Sequence, residues 1–277
     1  MNNCKGIINC HSDEVALLIT GCIKPYVKQD WLVLKDPQER LKQYVESIRF
    51  YIEESDFEYI VFCENSNFNT SEKDFLNTLA CSKGKHFEWL TFEGDLARLN
   101  YSKGGGEDEI VNYAFGKSKW IRGTRSFVKV TGRLKVMNVN QIMKGCIYGK
   151  NYFYRDIYRP HMHGVDTRFY ICDTEFFNNR LRNCYEHTFL GESGKLEDDY
   201  FVLLRGEYIN PLKYLHVNGM SGGNGRIYSN ESKYRIGLYD TLCELGLYNK
   251  LFPFLFLLYR LYEIPGKLKR IITARRS

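Results

Sequence analysis

Lys103-Gly104-Gly105-Gly106-Glu107 sets a cation and three glycines directly before a helical stretch. Helix N-terminal amides with a lysine beside them favour an anion, so the run is a candidate phosphate cradle; a flexible turn is the competing reading. The run lacks the GxxxxGK[ST] spacing of a nucleoside-triphosphate loop. No GxGxxG follows the first apolar run either, so dinucleotide binding finds little support. Further on, Leu196-Glu197-Asp198-Asp199-Tyr200 crowds three carboxylates. Neighbouring carboxylates raise the pKa of one among them toward the range of a working base. The competing reading is a helix start whose acids complement the dipole. His161-Met162-His163 puts two imidazoles on one face if extended, but the only third ligand nearby is Asp166, so no metal is expected there. The nine cysteines are scattered, with no CxxC pair, and Cys4, Cys10 and His11 lack the second half of a zinc site.

These residues need elements to hold them. Val15–Thr20 is a continuous apolar run ending in Thr20-Gly21, the pattern of a buried parallel strand entering a tight loop. Asp36-Pro37 opens a helix as N-cap and first residue. Leu41, Tyr44, Val45, Ile48, Tyr51 and Ile52 mark its apolar face; Arg40, Glu46 and Arg49 are expected off that face. Strands are predicted at Tyr59–Cys63, Phe87–Phe92, Phe127–Val130 and Arg168–Cys172, with an extended Leu134–Val139. Helices are predicted at Glu72–Leu79, Asp108–Phe115, Thr174–Cys184 and Glu197–Leu204. Residues 216–226 read as a Gly-rich loop, and Asn218–Tyr228 as a lid or a plain connector. Strands alternating with helices imply an α/β layer fold with a mostly parallel sheet. In such sheets ligands bind beyond the carboxyl ends of the strands. Those ends are Thr20-Gly21, Glu64-Asn65 and Thr131-Gly132-Arg133, where glycine admits a close ligand and Thr, Asn or Glu can bond a base or ribose.

The order of elements resembles a glycosyltransferase of the GT-A fold, of the kind found in bacterial capsule, O-antigen and exopolysaccharide loci. Arg40–Ile52, Ile60–Ser66, Lys103–Tyr113, Phe127–Asn138, Asp166–Phe169 and Leu196–Phe201 carry the resemblance, over roughly residues 15–228. It implies a GT-A-like, Rossmann-like sheet flanked by helices. It also implies a nucleotide-sugar donor, UDP by default with CMP and GDP open. Many GT-A enzymes end the strand before the active site in Asp-x-Asp, which holds a divalent metal on the donor diphosphate. Here the corresponding Thr131-Gly132-Arg133 has no carboxylate. The leaving diphosphate must still be neutralised, by metal or by fixed cations. Lys129 and Arg133 alternate along the strand and are expected on one face, where with Lys103 they would take the metal's role. No cofactor is then needed; the alternative is Mg or Mn held by Asp166 or the acidic cluster. The resemblance thus assigns the nucleoside to Thr20, Gly21 and Asn65. It assigns the diphosphate to Lys103, Gly104, Glu107, Lys129, Thr131, Gly132 and Arg133. Glu197, with Asp198 next, becomes the base of an inverting displacement, and His163, Asp166 and Arg168 shape the acceptor side.

Charge separates this body from the C-terminus. The chain carries 39 Lys plus Arg against 33 Asp plus Glu, a net +6, within ordinary globular composition at 44% hydrophobic and 26% charged residues. Residues 250–277 hold seven of those bases against Glu263 alone, and so account for the whole excess. A neutral body argues against a nucleic-acid-binding surface. The apolar run Leu251–Tyr259, with Phe254 and Phe256, precedes Arg260, Lys267, Lys269 and Arg270. That pairing suits an anionic membrane surface, although a packed helix with a solvated basic end competes. Division into a catalytic domain over 1–230 and a helical membrane-associating segment over 231–277 is expected. With no export signal, no spanning segment and unpaired thiols, the expected location is cytoplasmic, on the inner face of the membrane. There a polyprenyl-diphosphate-linked saccharide would serve as acceptor. A non-catalytic membrane-docked binding module, or another Rossmann-like transferase, is the alternative.

Overall fold

The computed structural model of the 277-residue chain describes residues 14–25, 32–95, 103–154, 165–184, 196–204, 207–221, 225–229, 241, 242, 245, 247 and 251. Its centre is a seven-stranded sheet. Strands β1 (Val15–Gly21), β2 (Tyr59–Glu64), β3 (His86–Thr91) and β4 (Ser126–Thr131) run parallel. Beyond β4 come β7 (Asp166–Asp173), β6 (Tyr152–Tyr154) and β8 (Asn210–Pro211), giving the order β3-β2-β1-β4-β7-β6-β8. Only β7 runs against the rest. A second sheet, β10-β9-β5, joins Ile227–Tyr228, Val217–Met220 and Leu134–Val136. Part of the expected lid is thus sheet. Gly219 pairs with Leu134 at φ +131°, and a Cβ there would lie 2.3 Å from the Arg133 carbonyl oxygen, so only glycine admits the pairing.

Helices cover both faces, which is why β1 and β2 read as unbroken apolar runs rather than alternating ones. Helix α1 (Pro37–Glu54) starts as expected: the Asp36 side chain accepts from the Glu39 amide at 2.8 Å and Pro37 opens the first turn. Its Tyr44, Ile48, Tyr51 and Ile52, with α2 (Glu72–Ser82) and α4 (Val139–Lys144), pack on Leu17, Ile19, Phe62, Val128 and Val130. The opposite face carries α3 (Lys103–Lys117) and α6 (Leu196–Leu203) on Ala16, Leu18, Val61 and Phe127. Each such fully buried Ile, Leu or Phe contributes about 1.5–3 kcal/mol. Helix α3 begins at Lys103, so the three glycines lie in its first turn rather than in a loop before it. The expected helix after Thr174 is a short α5 (Thr174–Phe176), capped by Asp173, that passes into a π turn over Phe177–Leu181. The strands at β6 and β8 and the short α4 escape the apolar pattern because they span only a few residues each.

Candidate functional site

Parallel register brings the expected strand ends to one edge. Thr20 pairs with both Cys63 and Thr131, and Gly21 pairs with Glu64. The two glycines there serve packing. The Gly132 amide donates to the Thr20 carbonyl at 2.8 Å, and a Cβ at position 132 would sit 2.3 Å from that oxygen. A Cβ at position 21 would meet the Phe62 ring at 2.6 Å. Thr20 turns its hydroxyl to the Val130 carbonyl at 3.4 Å. Glu64, fully buried, accepts from the amides of Ser66 and Phe68 at 2.9 Å each and from the hydroxyls of Ser66 and Thr91. It builds the loop after β2 instead of facing a ligand. Asn65 is 4% exposed, and its Oδ1 has no hydrogen-bond partner. The Oε2 of Glu109 is likewise unpaired, and both side chains flank Gly94. Two buried acceptors without donors at one strand end call for an explanation, and a ligand bearing N–H or O–H groups supplies one.

The two cations expected to share a face do not. Lys129 points to the α3 side, where its ammonium is fully enclosed. It donates to Glu107, to Thr131 Oγ1 at 3.2 Å and to the Thr167 carbonyl at 2.6 Å, so all three of its donors are used inside the protein. Arg133 lies on the α1 side, 6% exposed, with its guanidinium 5.6 Å from the Tyr44 ring centroid and 3.4 Å from Gln43 Oε1. The cause is the Thr131-Gly132 turn: strand alternation ends at Thr131, so counting by twos across it no longer holds. Arg40 is also on this side, although expected off the apolar face of α1. It is 4% exposed and donates to the carbonyls of Cys22 and Leu34.

The acidic cluster opens α6 as expected. Glu197 and Asp198 are half-buried, and Glu197 Oε1 accepts from Thr167 Oγ1 at 3.1 Å. Thr167 therefore ties Glu197 to the Lys129 network through a single residue of β7, a link with no signature in the sequence. On the neighbouring positions Asp166 and Arg168 form a bidentate pair, and Arg168 lies 4.8 Å from the Tyr228 ring. Burial alone would raise the Asp166 pKa, but the Arg168 charge and hydrogen bonds hold the carboxyl below its usual range. The Thr131-Gly132-Arg133 turn offers one hydroxyl and a guanidinium, a donor set that does not fit a divalent ion. Among the described residues no three His, Cys, Asp or Glu side chains are grouped to hold a metal. No described helix is long and apolar enough to cross a membrane. His163, the Lys103 side chain, and Phe254, Phe256, Arg260, Lys267, Lys269 and Arg270 lie outside what is described. A shallow hollow of about 500 Å³ opens at the far end of the sheet, by Thr124, Arg125 and Asp173, away from this edge.

No protein-family profile and no curated protein sequence matches the chain. The architecture is nonetheless that of a GT-A-like α/β layer with a mostly parallel seven-stranded sheet. GlyE, a glycosyltransferase of Streptococcus pneumoniae TIGR4, superposes over 72% of this chain at a TM-score of 0.50 and 9% identity. The chain spans 45% of that protein's length. A cytidylyltransferase from Leptospira borgpetersenii serovar Hardjo-bovis overlaps 66% of this chain and 68% of its own, at a TM-score of 0.35 and 12% identity. Mouse xyloside xylosyltransferase 1 overlaps 70% and 80%, at 0.34 and 9%. The likeness to GlyE is one of fold, and the other two superpose too loosely to add to it.

Proposed function

We propose that this chain is a glycosyltransferase that moves a sugar from a nucleotide-sugar to a saccharide acceptor. The observation that carries the reading is the convergence, at one edge of a GT-A-like sheet, of the ends of β1, β2 and β4 with the acidic start of α6, joined through Thr167. Ligands of open α/β sheets bind at such an edge. The buried, unpaired Asn65 Oδ1 and Glu109 Oε2 suit the N–H groups of a nucleobase or the hydroxyls of a ribose. A UDP-sugar is the default donor. In the proposed single displacement, the acceptor hydroxyl oxygen forms the new bond to the anomeric carbon. The bond from that carbon to the diphosphate oxygen breaks on the opposite face, inverting the centre. Glu197 takes the hydroxyl proton, with Asp198 beside it, and the nucleoside diphosphate leaves with the bonding pair.

The reading extends to a polyprenyl-diphosphate-linked saccharide as acceptor, in surface polysaccharide synthesis at the inner face of a membrane. The apolar-then-basic run over residues 250–277 supports this extension, since an anionic leaflet attracts such a segment. The test is a thermal-shift screen against UDP-, GDP- and CMP-sugars, followed by a nucleotide-release assay with the donor that stabilises. Glu197→Gln should lower kcat by about 10²–10⁴-fold while leaving donor binding intact. Full activity in Glu197→Gln removes the base assignment, and a protein stabilised by no nucleotide-sugar is not a glycosyltransferase of this kind.

A further inference from the structure

We infer that Arg40 and Arg133, both packed against the Tyr44 ring and within reach of each other's charge, form a metal-independent site for a phosphate-bearing anion. The Tyr44 centroid is 6.0 Å from the Arg40 guanidinium and 5.6 Å from that of Arg133. Both arginines are more than nine-tenths buried, at 4% and 6% exposure, and neither touches a carboxylate among the described residues. A buried charge without a counter-ion costs several kcal/mol, so natural sites pair it or reserve it for a ligand.

The two arginines play different parts. Arg40 is pinned: Nε and Nη2 donate to the Cys22 carbonyl, Nη1 donates to that of Leu34 at 3.1 Å, and Nη2 also lies 3.3 Å from the Tyr44 hydroxyl. It acts as a fixed charge. Arg133 is held only by Tyr44 and by a long 3.4 Å bond to Gln43, so most of its planar fork has no partner within the described residues. That fork matches two oxygens of a phosphate. Burial also pulls the Arg133 pKa below its ordinary value, the direction a bound anion would reverse. Glu64 is the acid whose field reaches the same spot, at Cys22, but its carboxylate already accepts from Ser66, Phe68 and Thr91. The place is the carboxyl end of β1 and β4, directly after Thr20 and Thr131. Resting on the glycosyltransferase reading, the anion is the diphosphate of a nucleoside diphosphate; the site itself needs only the phosphate chemistry. Lys129, enclosed on the other face, has no part in it.

The experiment titrates the full chain in EDTA with UDP, inorganic pyrophosphate and uridine, by calorimetry. UDP and pyrophosphate should bind and uridine should bind far more weakly. Arg133→Gln, shown folded by circular dichroism, should weaken UDP and pyrophosphate at least tenfold. Arg133→Lys, which keeps the charge and loses the fork, should fall between. If neither variant folds, protection of Arg133 from an arginine-selective dicarbonyl by pyrophosphate, read by peptide mass spectrometry on the unaltered protein, decides the point. Equal UDP affinity in both variants, absence of that protection, or UDP binding that needs Mn²⁺ overturns the site and leaves the donor reading standing. Pyrophosphate bound through Arg133 with no binding of UDP keeps the anion site and removes a UDP-sugar as the donor.

Discussion

Removing Glu107 should destabilise this protein more than its place near the start of α3 suggests. Lys129 has no exposed side-chain surface and Glu107 has 15%. The ammonium has three acceptors, of which Glu107 alone carries charge; Thr131 Oγ1 and the Thr167 carbonyl are neutral. Glu107→Gln keeps the shape but leaves one positive charge enclosed, which costs about 3–5 kcal/mol. Lys129→Met leaves a carboxylate that water partly reaches, so its loss should be smaller. The double variant removes both charges together and should recover most of the loss, because a buried ion pair replaced by neutral groups of similar volume is often neutral or better. Urea unfolding at pH 7, with midpoints compared at constant slope, measures all four proteins and gives the coupling between the two sites. Single losses below about 1 kcal/mol, or a double variant whose loss is the sum of the singles, would refute the claim that this pair is buried and interdependent. The same cycle bears on the reaction. Lys129 holds the Thr167 backbone while the Thr167 hydroxyl holds Glu197, so a folded double variant should lose kcat more than donor affinity.

Two further outcomes follow from single side chains. Tyr51, fully buried in α1, donates to the Leu134 carbonyl at 2.9 Å and accepts from the Val136 amide at 3.0 Å. Tyr51→Phe leaves that amide without a partner, while Leu134 keeps the Ser47 hydroxyl at 3.2 Å, so the loss should be about 1–3 kcal/mol by urea midpoint; no measurable loss would refute it. The Asp166 carboxyl has a folded pKa below its ordinary 3.8, so its contribution is present above that pH and is lost as pH falls through the lower folded value. The stability gap between the unaltered protein and Asp166→Asn should therefore be widest near neutrality and close below about pH 3.8; a gap constant across acid titration contradicts the pairing.

The layer order was legible because its signals are long and redundant. Val15–Gly21 and Tyr59–Glu64 are apolar on both faces, which only a strand covered by helices on each side explains. Asp36-Pro37 marked the start of α1, and a six-residue apolar stripe marked its inner face. Short elements carried no such redundancy. Tyr152–Tyr154 has three residues, too few for a period, and it joins the sheet through pairing with β7, which depends on residues far along the chain. The Gly-rich stretch misled for a related reason. Glycine marks a backbone in need of unusual space, but the same need arises in a mobile lid and in the close pairing of Gly219 with Leu134. Only the partner strand distinguishes them.

The site shows where residue type is the weaker guide. Arg40 was set outside the apolar face because it is charged, yet it precedes Tyr44 by four positions and Tyr44 precedes Ile48 by four. On a helix, four positions return to the same face. Spacing alone therefore put Arg40 on the inner stripe, and the fold met the charge with the carbonyls of Cys22 and Leu34 instead of turning it to water. Lys129 follows the same logic within β4, where Phe127 two residues earlier is buried on the α3 side. Arg133 broke the pattern because Gly132 ends the strand before it. A charged residue in register with a buried stripe thus marks either an internal ion pair, as at Lys129, or a charge kept for a ligand, as argued for Arg40 and Arg133. The partner decides which: Lys129 has Glu107, and the two arginines have no acid of their own among the described residues.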